Sequence, residues 1–241
     1  MIHEMTVYEL LCAQLIVLTG AVVQGSIGFG FSLISVPFLA LIDLKFVPGP
    51  VICAATVLSI LTAGRELKSV DLPGIKWAVV GRIPGIALAI LLLRAVSEQD
   101  LKMVVGGLVV AAVALSLNGL QVRITKRSLA GAGFFSGFMG TSAAIGGPPL
   151  ALLFQHKSGD YLRGTLAGYF IISAIMSLTA LTLSGWFGWR EVYSGALLLP
   201  GVLIGFGCSN FVKSRITGTW LRLAVLLISG SAGLGLVLKS F

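Results

Sequence analysis

VVQGSIGFGFSLISVPFLAL occupies residues 22–41 and FFSGFMGTSAAIGGPPLALL occupies residues 134–153. Each stretch is apolar enough for a bilayer, and each is interrupted by glycines, small polar residues and then proline. Glycine loses the most conformational freedom when held helical, and proline lacks the backbone donor a helix interior needs. In hydrocarbon, a broken helix leaves N–H and C=O groups unpaired. It persists only where protein or a water-filled cavity satisfies them. The same interruption made twice predicts two broken helices around one internal cavity.

Composition sets the surroundings. Of 241 residues, 56% are hydrophobic and 11% charged, with a mean hydropathy of +1.01; soluble domains carry about a quarter charged residues. Apolar segments run approximately over 6–24, 28–42, 48–64, 73–94, 101–120, 128–140, 142–154, 163–184, 192–212 and 218–239. Their lengths and short connections predict an all-α polytopic membrane protein without a soluble domain. The opening MIHEMTVYEL has no basic n-region or small-residue cleavage site, so no cleaved signal peptide is expected. Cys12, Cys53 and Cys208 lie singly in apolar runs. No metal site, cofactor or catalytic residue is predicted. The net charge of +8 falls in loops between the segments, where anionic lipid headgroups and membrane orientation account for it. Nucleic acid is not expected as a partner.

Five segments precede the basic loop QVRITKR and five follow it. The predicted organisation is a first repeat over 1–120, a cytoplasmic linker over 121–127 and a second repeat over 128–241. Gly25, Gly28 and Pro37 recur as Gly137, Gly140 and Pro149 at an offset of 112; Pro84-Gly85 recurs as Pro200-Gly201 at 116, and Leu101-Lys102 as Leu221-Arg222 at 120. An odd number of crossings would insert the second repeat upside down. If the chain reverses at 25–28 and 140–142, eleven loop lysines and arginines fall on one face and five on the other. Unbroken spans would divide them eight and eight. Positive charge prefers the cytoplasm. The reversing arrangement is therefore expected: two inverted repeats of about five segments each, with glycine-rich re-entrant hairpins meeting near the midplane and both termini outside. Segments 128–140 and 142–154, at about 13 residues or roughly 20 Å each, are too short to cross a core of roughly 30 Å. For the first hairpin, a re-entrant and a fully spanning form both remain open.

A returning helix aims unpaired N–H groups and its positive dipole end at the hairpin tip, which makes an anion site of backbone. The candidate binding residues are Gln24, Gly25, Ser26, Gly28 and Gly30 at the first break, and Ser136, Gly137, Gly140, Thr141, Ser142, Gly146, Gly147 and Pro148 at the second. The competing reading is that the glycines let helices pack closely. Gly25-x-x-Gly28 and Gly137-x-x-Gly140 lack the four-residue period of such contacts, which favours the cavity. Arg82 is the one further candidate, deep within WAVVGRIPGIALAILLL. A cation at that depth costs roughly 2.5–3.5 kcal/mol on insertion scales and faces a cavity or a partner. Its planar fork suits sulfonate or carboxylate oxygens; the alternative is that it bonds carbonyls freed by Pro84 or snorkels. None of the nine carboxylates is central in a segment, and His3 and His156 lie near segment ends. That inventory disfavours a cation substrate and an internal acidic relay. Tyr169 lies deep enough to reach the cavity.

The pattern QGSIGFGFSLISVP, followed half a chain later by SGFMGTSAAIGGPPL, resembles the TauE/SafE family of sulfite and organosulfonate exporters, over nearly the whole chain. The motif positions are Gln24, Gly25, Gly28 and Gly30, then Gly137, Gly140, Gly146, Gly147 and Pro148. The resemblance implies a multi-pass transporter of the cell (inner) membrane that exports small sulfur-containing anions such as sulfite or two-carbon sulfonates. With discontinuous helices in inverted repeats, alternating access is the expected mechanism. A passive anion channel, or a carrier for another oxyanion or carboxylate, would share these features. A membrane hydrolase would need a nucleophile beside a base, and no histidine lies inside a segment and no buried carboxylate is available; a purely structural membrane scaffold would bind no ligand. The partners expected are a small anion, membrane lipids and, as a further option, a second copy of the chain.

Overall fold

The computed structural model describes residues 6–117, 121–215 and 218–238. Among them are eleven α-helices and no strand: α1 Val7–Ile27, α2 Phe31–Ile42, α3 Gly49–Arg65, α4 Leu72–Ala95, α5 Glu98–Leu117, α6 Lys126–Ala143, α7 Gly147–Phe154, α8 Gly159–Leu183, α9 Trp189–Leu197, α10 Leu199–Arg215 and α11 Gly218–Leu238. Four helical stretches are long and apolar enough to cross a membrane: Val7–Ile27, Leu72–Ala95, Asp100–Leu117 and Gly159–Leu183. The pair α9 and α10 makes a fifth candidate, bent by 43°. That bend divides the continuous segment expected over 192–212. It falls at Leu198, two residues before Pro200, whose ring removes a helix donor. Gln14 of α1 repairs the gap, donating to the Leu197 carbonyl and accepting from the Gly201 N–H at 2.7 Å. Pro84 lies inside α4 without breaking it.

Both predicted breaks lie later in the chain than the glycine pattern indicates. α1 ends at Gly28, with φ +92°, and α2 starts from Gly30, with φ +113°. α6 ends at Ala144, with φ +61°, and α7 starts from Gly146. Gly25, Ser26, Gly137, Gly140, Thr141 and Ser142 are therefore helical. Gly28 to Ala144 and Gly30 to Gly146 are each 116 residues apart, the offset of the two Pro-Gly pairs. The 112-residue glycine match is displaced by one helical turn. Nor are the two arms of the second hairpin equal at about 13 residues: α6 has 18 residues and α7 has 8. In the first hairpin α1 is long enough to cross, while α2 has only 12 residues.

Close packing accounts for two of the glycines assigned above to a cavity, Gly25 and Gly137, and for several others. α4 and α6 run parallel and so near each other that a Cβ at Gly81 or Gly85 would run into the carbonyls of Ala130 or Phe134. A Cβ at Gly133 or Gly137 would run into those of Ala78 or Arg82. Gly81-x-x-x-Gly85 thus faces Gly133-x-x-x-Gly137, the small-residue contact that lets membrane helices approach closely. α1 and α10 run parallel in the same manner: Gly201 and Gly205 lie against the Gln14 and Leu18 carbonyls, and Gly25 against Ser209. α3 packs on α8, and α5 on α11.

Polar contacts fix which helix ends lie together. Glu66, Arg163, Lys213 and the Ser26 carbonyl join the ends of α1, α3 and α10 to the start of α8. The Ser69 carbonyl and Asp71 N–H on the Thr165 hydroxyl add the start of α4. Lys76 and Lys126 both approach the Trp77 ring, which adds the start of α6. Arg222 on the Ser116 carbonyl adds the end of α5 and α11's first turns. Hence α1, α3, α5 and α10 run toward this end, and α4, α6, α8 and α11 run away from it.

Two expectations follow. In a background without the three cysteines, single cysteines placed at 69, 122 and 157 label from the cytoplasmic face and those at 45 and 188 from the opposite one; labelling of 122 and 188 from one face would overturn the arrangement. Gly133→Ala forces α4 and α6 apart at a cost of about 1–3 kcal/mol, read as a lowered Tm in detergent. Gly131→Ala, whose Cβ would meet open space, leaves Tm unchanged.

Candidate functional site

A cavity of about 60 Å³ lies between the two breaks. The first hairpin contributes Gln24, Gly30, Ser32 and Leu33; the second contributes Gly140, Ala144, Ile145, Gly146, Gly147 and Pro148. Arg82 enters from α4, Thr56 and Ser59 from α3, and Phe170, Ser173 and Ser177 from α8. The first N–H groups of α2, at Phe31, Ser32 and Leu33, have no partner within the helix. α7 differs: Pro148 and Pro149 stand within its first turn and carry no N–H at all. Of the two tips expected to present backbone donors, the second offers few.

Arg82 is 3% exposed. The close α4–α6 contact carries its side chain across to the second break. Nη1 donates to the Ser136 hydroxyl at 3.0 Å and to the Tyr169 hydroxyl at 3.3 Å; Nη2 donates to the Ser177 hydroxyl at 2.8 Å. Ser136 in turn donates to the Gly146 carbonyl at 2.6 Å, and Ser177 shares a proton with Thr141 at 2.7 Å. These hydroxyls fix the guanidinium but leave its charge uncompensated. Among the described residues no carboxylate pairs with it. The local carbonyls around Pro84 are not its partners, and neither does it snorkel to the surface.

A second charged group, which the sequence places at segment ends, lies about 10 Å from the cavity, two turns along α3 from Ser59 and along α8 from Phe170. Glu66 Oε1 accepts from Arg163 Nε at 2.9 Å and Lys213 Nζ at 3.1 Å, and Arg65 Nε stands at 3.4 Å. Asp160 accepts from Arg163 Nη2 and, at 3.3 Å, from Lys213. Burial alone would raise the Glu66 carboxyl's pKa, but hydrogen bonds from Arg163 and Lys213 outweigh it and hold the group below its ordinary range. The cluster grips the last carbonyls of α1: Arg65 Nη2 donates to Gly25, and Arg163 Nη1 to Ser26 at 3.3 Å. Cations belong at a helix C-terminus, where carbonyls lack partners. Gly28 sits directly against Arg163, so a Cβ there would meet Arg163 Cα at 3.1 Å.

The fourteen predicted residues therefore divide. Gln24, Gly30, Arg82, Gly140, Gly146, Gly147 and Pro148 line the cavity. Ser136 and Thr141 border it through Arg82 and Ser177. Gly25, Ser26 and Gly28 belong to the charged cluster; Gly137 is a helix contact, and the Ser142 hydroxyl bonds the Phe138 carbonyl of its own helix at 2.6 Å. Sequence reasoning missed Ser173, Ser177, Thr56, Ser59 and the pairing of Arg163 with Glu66. One signal was present: Tyr161, Thr165, Tyr169, Ser173 and Ser177 recur every fourth residue, a polar stripe down an otherwise apolar α8.

A family model described as sulfite exporter TauE/SafE matches residues 12–236. The chain belongs to this family. It is a transporter family, and membership joins with the apolar helices to make the chain a multi-pass membrane protein. Neither a curated protein nor a solved structure matches the chain.

The cluster predicts a pH dependence. A carboxylate with a lowered folded pKa contributes stability above its unfolded pKa, about 4.3 for Glu, and loses it as pH falls through the folded value. Glu66→Gln leaves Arg163 buried without its main counter-charge, which costs roughly 3 kcal/mol. The gap in Tm between the unmodified chain and Glu66→Gln is expected to be constant from pH 8 to about 5 and to close at pH values below about 4. A gap that closed near pH 7 would contradict the geometry.

Proposed function

We propose that the chain is a carrier that exports small sulfur-containing oxyanions, such as sulfite or two-carbon sulfonates, across the cell (inner) membrane by alternating access. One observation carries this reading: Arg82 is buried at the cavity between the two breaks with no carboxylate to neutralise it. An unpaired cation in a low-dielectric interior is costly, and an anion that occupies the cavity offsets that cost. The volume, enough for about four waters at roughly 15 Å³ each, suits a compact oxyanion.

Inverted repeats fit the helix directions. α1 and α6, α3 and α8, α4 and α10, and α5 and α11 are counterparts by position, and the members of each pair run oppositely. Their packing is reciprocal: α4 rests on α6 as α10 rests on α1. Such an arrangement gives two equivalent ways to close around one site. The cluster at Glu66 favours a carrier over an open channel. It ties α1, α3, α8 and α10 together at the cytoplasmic end, and its ion pairs must separate each time that end opens.

Proteoliposome uptake of sulfite tests the reading. Arg82→Lys keeps the charge but loses the planar fork and is expected to slow transport at least tenfold; Arg82→Gln abolishes it. Parental rates in both variants would make Arg82 structural. For the gate, Thr62→Cys in the cysteine-free background reacts slowly with a cytoplasmic impermeant thiol reagent, and added Glu66→Gln speeds the reaction. Equal rates would remove the cluster from gating.

A further inference from the structure

Two buried polar atoms in the cavity wall have no hydrogen-bond partner: Nε of Arg82 and Oγ of Ser173. Both residues are more than nine-tenths buried, at 3% and 5% exposure. A guanidinium has five N–H donors. Three of those on Arg82 go to Ser136, Tyr169 and Ser177. The Nε–H and one Nη2–H remain to meet the oxygens of an oxyanion head. Ser173 lies one turn from both Tyr169 and Ser177 on the same stripe of α8, so its hydroxyl faces the cavity on the side from which these residues hold Arg82. Buried donors are ordinarily paired. Two left over in one cavity wall mark a place that a ligand completes.

The rest of the wall restricts what that ligand carries. Leu33, Ile52, Ala55, Ala144 and Phe170 are apolar, and no lining residue is a carboxylate. A cationic substituent would find no counter-charge there and would be repelled by Arg82.

We infer that Arg82 Nε and the Ser173 hydroxyl together seat one head of an oxyanion whose remaining part is uncharged, and that the cavity rejects zwitterions such as aminosulfonates and amino acids. This rests on the proposal that the cavity holds the transported anion, and it makes Ser173 a residue that determines specificity.

Propane-1-sulfonate and taurine (2-aminoethanesulfonate) have equal numbers of heavy atoms and differ by methyl against an ammonium that stays protonated at neutral pH. Calorimetry of both on the full chain in detergent is expected to give at least tenfold tighter binding of propane-1-sulfonate; this comparison requires no variant to fold. Ser173→Ala removes one donor and weakens propane-1-sulfonate by about tenfold, and Ser173→Thr, which keeps the hydroxyl, restores most of it. Ser35→Ala removes another buried, unpartnered hydroxyl, one outside the cavity, and leaves affinity unchanged. Equal affinity for the two probes overturns the inference. So does parental affinity in Ser173→Ala alongside loss of binding in Arg82→Gln, an outcome that leaves the anion site itself intact. If the unmodified chain binds neither sulfite nor propane-1-sulfonate, or Arg82→Gln binds them as tightly, the anion reading fails and this one with it.

Discussion

Between α4 and α6 there is no room for side chains at four positions. Gly81 and Gly85 meet the α6 backbone, and Gly133 and Gly137 meet the α4 backbone. The contact needs glycine on both helices at four-residue spacing, and it brings the Arg82 backbone against Gly137. From there the Arg82 side chain reaches Ser136, one residue earlier on α6, and through it the Gly146 carbonyl at the break. A wider separation would move the guanidinium out of reach of both. The placement of charge at the centre of the protein is therefore decided by helix packing, and the broken backbone beside it is satisfied partly by that placement.

The two buried arginines are treated in opposite ways. Arg163 has Glu66 at 2.9 Å and Asp160 beside it, so its charge is neutralised within the protein. Arg82 has hydroxyl dipoles and the Tyr169 ring, centred 5.8 Å away, and no carboxylate among the described residues. Pairing a buried ion with a well-placed partner roughly offsets desolvation, while an unpaired one keeps most of the penalty. On the proposed reading, a fold that neutralises one cation and leaves the other without a carboxylate keeps the second available for an exchangeable anion. The same contrast explains why Arg82 could be singled out from sequence and Arg163 could not. Arg82 stands alone amid apolar neighbours, whereas Arg163 follows Gly159, Asp160 and Tyr161 in what reads as a connecting loop.

The helical class, the two interrupted hairpins and the burial of Arg82 at an internal cavity were legible because burial in lipid leaves strong compositional traces. The positions of the breaks were less so. Matching identical glycines aligned Gly28 with Gly140, yet the residue that occupies the left-handed cap in the second half is Ala144, with φ +61°. Side-chain identity does not reveal a cap when alanine takes the conformation glycine usually supplies. The preference for cavity over packing at Gly137 failed because the relevant partner was Gly133 rather than Gly140. The hydroxyls of α8 were overlooked for a different reason. In membrane helices serine and threonine often bond a carbonyl four residues back, as Thr182 does to Leu178 at 2.8 Å. Only the third dimension separates Ser173 and Ser177 from that default.

The first hairpin links the two charged regions over a short stretch of chain. Gln24 and Gly30 line the cavity, while the Gly25 and Ser26 carbonyls and the Gly28 backbone lie against Arg65 and Arg163. Seven residues thus share both environments, and two of them hold left-handed conformations that define the turn. A ligand can shift a conformational equilibrium only by the difference in its affinity for the two states. An anion that draws Arg82 and the α2 N-terminus together changes the position of Gly30, and Gly28 is only two residues away. Displacement there acts on the contact with Arg163, hence on the pairs that Glu66 holds closed. The second hairpin is tied to Arg82 through Ser136 and meets the first where Gly147 lies against Phe29. If the cavity holds the anion and the Glu66 cluster is the gate, as proposed, the first hairpin is the stretch of chain that touches both.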